Sequence, residues 1–106
     1  MTKLIRFFGD ADYEFGLTPE TIPELERLTN AGIGALCIRL FAGQFSLAEI
    51  QNVIRLAMIG AGNDPEKAAA LVAAYVGIRP LEESFELAVA ILEALYFGKV
   101  EANGKA

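Results

Sequence analysis

The order of hydrophobic and polar positions divides the chain into a short N-terminal part with strand-like alternation and a longer helical part. In residues 3–17, K-L-I-R-F-F-G-D-A-D-Y-E-F-G-L, two runs of aromatic and aliphatic side chains flank a Gly-Asp turn. This pattern is typical of a β-hairpin. Because a lone hairpin is only marginally stable in water, we expect one of its faces to dock on the helices through Phe7, Phe15 and Leu17.

From residue 19 to residue 98 apolar residues recur at helical spacing, and local signals for helix ends separate the segments. Thr18-Pro19 and Thr21 offer two alternative starts for the first helix. Ser46 and Glu49 have the spacing of a capping box at the start of the third. After the first helix, the signals predict helices over about 33–42, 47–59, 65–76 and 81–97.

These elements predict a mainly α protein with a small N-terminal β-hairpin and a compact bundle of four to five short helices. We interpret residues 1–106 as a single domain, because the length is within the usual range for one domain. The domain is expected to consist of the hairpin at 3–17, the bundle at 19–98 and a flexible tail at 99–106.

The fifth predicted helix has an apolar arc that is wider than one core contact requires. Its arc covers about half of the circumference, whereas a single core contact requires ~100° or more. Two explanations stay open: the helix is buried on two sides, or the extra width is reserved for a partner. On the second explanation, we expect an exposed shoulder that binds a protein partner and consists of Leu87, Ala90, Ile91 and Ala94.

The charge of the chain argues against nucleic acid as a partner. The formal net charge is −5, and the nine Lys and Arg residues are scattered without a cluster. A nucleic-acid-binding protein needs a basic patch that displaces counterions from phosphates. Hydrophobic residues make up 54% of the chain, but no uncharged run reaches the ~18 residues of a membrane helix. We therefore expect a cytoplasmic protein that binds neither nucleic acid nor membrane.

The residues with chemical potential form no recognisable catalytic or metal site. The chain has no His and a single Cys, Cys37, which excludes a Cys/His zinc site and His-dependent catalysis within one chain. Cys37 lies between Leu36 and Ile38 and is expected to be a buried thiol. Asp10, Asp12 and Glu14 alternate, but the residues that follow do not fit a calcium-binding EF-hand loop. We expect no catalytic residues, no cofactor, no metal and no enzymatic activity.

Several segments together resemble a known family. They are L-T-P-E-T-I-P-E-L-E-R at 17–27, G-I-G-A-L at 32–36, I-R-L-A-M-I-G-A-G at 54–62, A-A-A-L-V at 68–72 and R-P-L-E-E-S-F-E-L-A-V-A-I-L-E-A-L-Y-F-G at 79–98. In this order they resemble the small tail assembly proteins of gene transfer agents and related tailed phages. One departure is Ala61, which stands at the centre of a turn that is glycine-rich throughout in the family.

The resemblance implies a tail assembly chaperone, which keeps the helical tape-measure protein soluble until tail-tube subunits polymerise around it. The expected partner is the tape-measure protein or another tail protein, and a homo-oligomer is a further option. The main alternative is a minor structural tail or connector component of a phage-like particle. A second alternative is a module that binds a small ligand, or an enzyme, that uses the carboxylates near the hairpin.

Overall fold

The computed structural model describes residues 2–98 and contains a two-stranded hairpin followed by five helices. The predicted flexible tail at 99–106 lies outside these residues. The elements are β1 Leu4–Phe8, β2 Ala11–Phe15, α1 Thr21–Thr29, α2 Ile33–Phe41, α3 Leu47–Gly60, α4 Pro65–Tyr75 and α5 Leu81–Phe97. The predicted fold class, mainly α with an N-terminal hairpin, is therefore confirmed.

The two strands are antiparallel, and a two-residue turn at Gly9 and Asp10 joins them. Gly9 has a positive φ of 72°, which a hairpin turn requires at this position. A Cβ atom there would also lie only 2.4 Å from the ring of Tyr75, so glycine is needed for space as well as for conformation. The ring of Phe8 contacts the rings of Phe15 and Tyr75 edge to face, at centroid distances of 6.2 and 6.1 Å.

One of the predicted docking residues of the hairpin is wrong. Phe15 and Leu17 are buried, but Phe7 is 67% exposed. In the observed register Leu4 pairs with Phe15 and Phe8 pairs with Ala11, so Leu4 and Phe8 supply the inner face of β1. Because alternate residues of a strand point to opposite faces, Ile5 and Phe7 lie on the outer face.

Helix α3 is the centre of the molecule. It contacts α1, α4, α5 and β2. Its completely buried side chains are Ile50, Val53, Ile54, Ala57 and Met58. The predicted capping box is present at its start, where the Ser46 hydroxyl accepts from the Glu49 amide and the Glu49 carboxylate accepts from the Ser46 amide.

The hairpin is joined to α3 where the chain leaves β2. The Gly16 amide donates to the Ala57 carbonyl at 2.9 Å. A Cβ atom on Gly60 would lie 2.1 Å from the Gly16 carbonyl oxygen, so only glycine permits this close approach. Ala61 has an ordinary right-handed φ of −83°, which explains why alanine is accepted at the centre of the turn.

Candidate partner-binding surface

The shoulder predicted on α5 is not exposed. Leu87, Ile91 and Ala94 are only 8%, 1% and 2% exposed, and Ala90 is partly buried. The helix contacts α3, α2 and β1, so its wide apolar arc is occupied inside the molecule. The expectation of an exposed shoulder is therefore wrong, and the alternative of burial on more than one side accounts for the arc. That these residues bind a partner stays a prediction, but the exposure on which the prediction depended is absent.

One group of exposed apolar side chains lies where the last turns of α2 and α5 meet. We call this surface the aromatic end, and it consists of Ile38, Phe41, Tyr96 and Phe97. Ile38, Tyr96 and Phe97 are 56%, 52% and 61% exposed, and Phe41 is partly buried beneath them.

The rings of the aromatic end contact one another and form a continuous surface. Phe41 stacks on Phe97 at 6.1 Å between ring centroids, and Tyr96 meets Phe41 edge to face at 5.7 Å. Tyr96 and Phe97 are themselves 5.1 Å apart. Phe41 and Phe97 are the last residues of their helices, and Gly98 ends α5 in the left-handed conformation.

A groove between the hairpin and α5 is the second surface of interest. We call it the hairpin groove. It encloses about 310 Å³ beside Phe7, Gly9, Tyr75, Arg79, Glu83 and Leu87, and a neighbouring space of about 280 Å³ is lined by Arg6, Phe7, Glu83, Glu86 and Leu87. Arg79 donates to Glu83 at 2.8 Å, and this hydrogen bond holds the pKa of Glu83 below its ordinary value. The groove is lined by apolar side chains as well as by charges of both signs.

The remaining polar groups support the fold. Arg39 on α2 donates two hydrogen bonds to Glu49 on α3, at 2.6 and 3.2 Å. These bonds are the main reason why the pKa of Glu49 is lowered, against the opposing effect of burial. The Tyr13 hydroxyl donates to Asp10 at 2.6 Å, which raises the pKa of Tyr13. Asp10 is thus already engaged by a neighbouring side chain.

Cys37 is buried as predicted, with an exposed fraction of 1%, and burial raises the pKa of its thiol to about 11. A thiol of this kind is a poor nucleophile at neutral pH. Within residues 2–98, no group of acidic, Cys or His side chains has an arrangement that could hold a metal ion. Over the same range, no helix combines the length and apolar character needed to cross a membrane.

Comparison with known proteins identifies one family. The family model described as "Phage tail tube protein, GTA-gp10" matches residues 3–98, which include the hairpin and all five helices. No curated protein and no solved structure shows a significant match to the chain. The family match confirms the relation to gene transfer agents and phage tails inferred from the segments quoted above. The chain belongs to the phage tail tube protein family of the GTA-gp10 type.

Proposed function

We propose that this tail-family protein is a non-enzymatic assembly chaperone, which binds a helical segment of the tape-measure protein in the bacterial cytoplasm during tail morphogenesis. The observation that carries the proposal is the aromatic end, where Ile38, Tyr96 and Phe97 expose apolar surface beside the partly buried Phe41. An apolar helix of a partner can bury its own hydrophobic stripe against such a surface.

The magnitude of the available contact supports this role. A large aromatic side chain buries ~150–250 Å² when it is fully covered. At about 25 cal/mol per Å², covering the exposed halves of Tyr96 and Phe97 together with Ile38 would contribute roughly 5 kcal/mol before the cost of association. Because association itself costs at least about 4 kcal/mol, binding also requires the apolar area that the partner's helix buries, and the net contact is weak enough for the client to be released.

A structural component of the tail is the second candidate function, and the family description specifically favours it because it names the tail tube. The two functions predict different locations of the protein after tail assembly. A chaperone leaves before the particle matures, whereas a structural component stays in a fixed number of copies. Quantitative mass spectrometry of purified particles distinguishes them, since the chaperone proposal requires the chain to be absent from the particle but present in lysates.

Co-purification with the tape-measure protein of the same genome tests the binding surface. We expect the double variant Ile38→Glu/Phe97→Glu to lose at least about tenfold in binding, because two anchors of the surface become charged. The matched control is Ile78→Glu, which changes a side chain that is 78% exposed and outside the aromatic end. Helical circular dichroism should be unchanged in both variants. Wild-type recovery of the tape-measure protein by the double variant would refute this assignment of the surface.

A further inference from the structure

The hairpin has one covered edge and one open edge. On β2, α3 packs against the strand, and the Asn63 side chain donates to the Glu14 carbonyl at 3.1 Å. Along an antiparallel pair of strands, hydrogen-bonded residue pairs alternate with non-hydrogen-bonded pairs. Phe8 and Ala11 close the two-residue turn as a hydrogen-bonded pair. Ile5 and Phe7 of β1 are therefore in non-hydrogen-bonded pairs, and their backbone groups point away from β2. Among residues 2–98, no backbone hydrogen bond beyond the regular elements uses Ile5 or Phe7.

The outer face of this open edge is apolar. Ile5 and Phe7 are 62% and 67% exposed. The register of β1 runs from Leu4 to Phe8 without a bulge, and the strand contains no proline. Sheet edges in monomeric proteins are usually protected by a charge, a bulge or a proline, since an unprotected edge pairs with another strand. The outer face of β1 has none of these protections, and the single charge of the strand, Arg6, lies on the opposite face, where it is the only feature that protects this edge.

Two unpaired charges lie beside the same edge. Arg6 and Glu86 both line the smaller space of the hairpin groove. Among residues 2–98 the ion pairs are Arg27–Glu24, Arg39–Glu49 and Arg79–Glu83, so neither Arg6 nor Glu86 is in an ion pair with another described residue. The edge therefore offers backbone donors and acceptors, two apolar side chains, one cation and one anion.

We propose that β1 pairs antiparallel with β1 of a second copy of this chain, so that two hairpins form one four-stranded sheet. A twofold axis beside Arg6 places Ile5 opposite Phe7 of the second copy, and Phe7 opposite Ile5. Cross-strand pairs of an aromatic and a β-branched residue stabilise sheets. The same axis places Arg6 opposite Arg6 of the second copy, which is unfavourable unless both cations are neutralised. Glu86 of each copy supplies that neutralisation.

The second copy fits better than an unrelated strand because each feature of the edge complements itself. A twofold interface uses the same surface on both subunits, so residue i contacts residue j and residue j contacts residue i. In the proposed dimer, the contact of Ile5 with Phe7 of the other copy occurs twice, and so does the contact of Arg6 with Glu86. The inference does not depend on the proposed chaperone function, which uses the aromatic end.

Sedimentation equilibrium of the wild-type chain and of single variants tests the proposal. We expect a reversible dimer, and Phe7→Lys should raise its dissociation constant at least about tenfold, because a lysine would lie against the apolar cross-strand neighbour. The matched control, Ile78→Lys, adds the same charge at an exposed apolar position away from β1 and should dimerise like the wild type. Circular dichroism identifies any variant that has lost its fold.

A charge exchange tests the register. Arg6→Glu and Glu86→Arg should each weaken the dimer at least about tenfold, and the double variant Arg6→Glu/Glu86→Arg should recover wild-type affinity, since it restores opposite charges across the axis. Hydrogen exchange adds a readout specific to edge pairing: the Ile5 and Phe7 amides should gain protection as the dimer forms.

Three results would overturn the proposal. The first is a wild-type chain that stays monomeric at all concentrations. The second is a dimer that Phe7→Lys leaves intact while Phe97→Lys dissolves it, which would place the interface at the aromatic end. The third is a dimer in which the Ile5 and Phe7 amides exchange as freely as in the monomer. A wild-type chain that stays monomeric but still binds the tape-measure protein would refute this inference and leave the proposed chaperone function standing.

Discussion

Replacing Gly60 with alanine tests the close approach between α3 and the chain segment that leaves the hairpin. The added Cβ atom would lie 2.1 Å from the Gly16 carbonyl oxygen. Ordinary contacts of this kind are longer than 3 Å, so the two segments must separate by about 1 Å. The neighbouring hydrogen bond from the Gly16 amide to the Ala57 carbonyl, now 2.9 Å long, would be stretched at the same time.

Three contributions determine the expected change in stability. Overpacking against a backbone atom costs about 1–3 kcal/mol. Weakening a buried backbone hydrogen bond costs about 1 kcal/mol more. Alanine regains up to about 1 kcal/mol because glycine is a poor helix former. The free energy of unfolding should therefore fall by about 1–3 kcal/mol, which corresponds to a decrease in Tm of roughly 5–20 °C for a domain of this size.

Urea and thermal unfolding followed by circular dichroism measure this change. The matched control is Gly34→Ala, because Gly34 lies in the first turn of α2 with no atom within 4 Å of the added Cβ position. This control should be stabilised by about 0.5–1 kcal/mol. Replacing glycine with alanine is therefore expected to lower the free energy of unfolding at position 60 and to raise it at position 34. Equal stability of Gly60→Ala and the wild type would show that the approach is not tight, and the reasoning would fail.

The structure supports three further predictions. Glu49→Gln should lower the free energy of unfolding by about 2 kcal/mol at pH 7, because the carboxylate accepts from Arg39 and from the Ser46 amide. Folding lowers the pKa of Glu49 below its ordinary value of 4.5, so its contribution is complete above that value and disappears as the pH falls through the lower folded pKa. Urea midpoints at pH 7 and pH 3 measure this, and a difference that does not change with pH would contradict it. Cys37 should react with a thiol reagent at least about a hundredfold more slowly in the folded chain than in the urea-unfolded chain, because the reaction requires the core to open. Rapid labelling of the folded chain would contradict the burial of this thiol. Leu92→Ala should cost about 2–5 kcal/mol in a urea titration, because this side chain is fully buried in α5; a loss below about 1 kcal/mol would mean that the cavity collapses.

The bounds of the helices were predictable because their signals are local. Ser46 with Glu49, Pro65 after Asp64, and Gly98 after the last turn each act within one or two turns of chain, and α3, α4 and α5 begin or end there. For α1 the sequence offers two starts, at Thr18-Pro19 and at Thr21. The structure begins it at Thr21, with the Thr18 hydroxyl accepting from the Thr21 amide at 3.1 Å, so both threonines contribute.

The faces of the elements were not predictable in the same way, because each depends on distant packing. In β1 apolar residues occupy both faces, so the sequence does not distinguish Leu4 and Phe8 from Ile5 and Phe7. A shift of register by one residue exchanges the two faces of a strand. On α5, the arc that includes Leu87 and Ile91 reflects several neighbouring elements, which an isolated helical wheel does not show. The aromatic end arises only where α2 and α5 meet.

Glu49 has a consequence for how the molecule opens. One side chain fixes the first turn of α3 through its cap and at the same time holds Arg39 of α2. Fraying of that turn therefore also weakens the link between the two helices. Because Phe41 ends α2, opening of the corner between α2 and α3 would also loosen the contacts of Phe41 with Tyr96 and Phe97 at the end of α5.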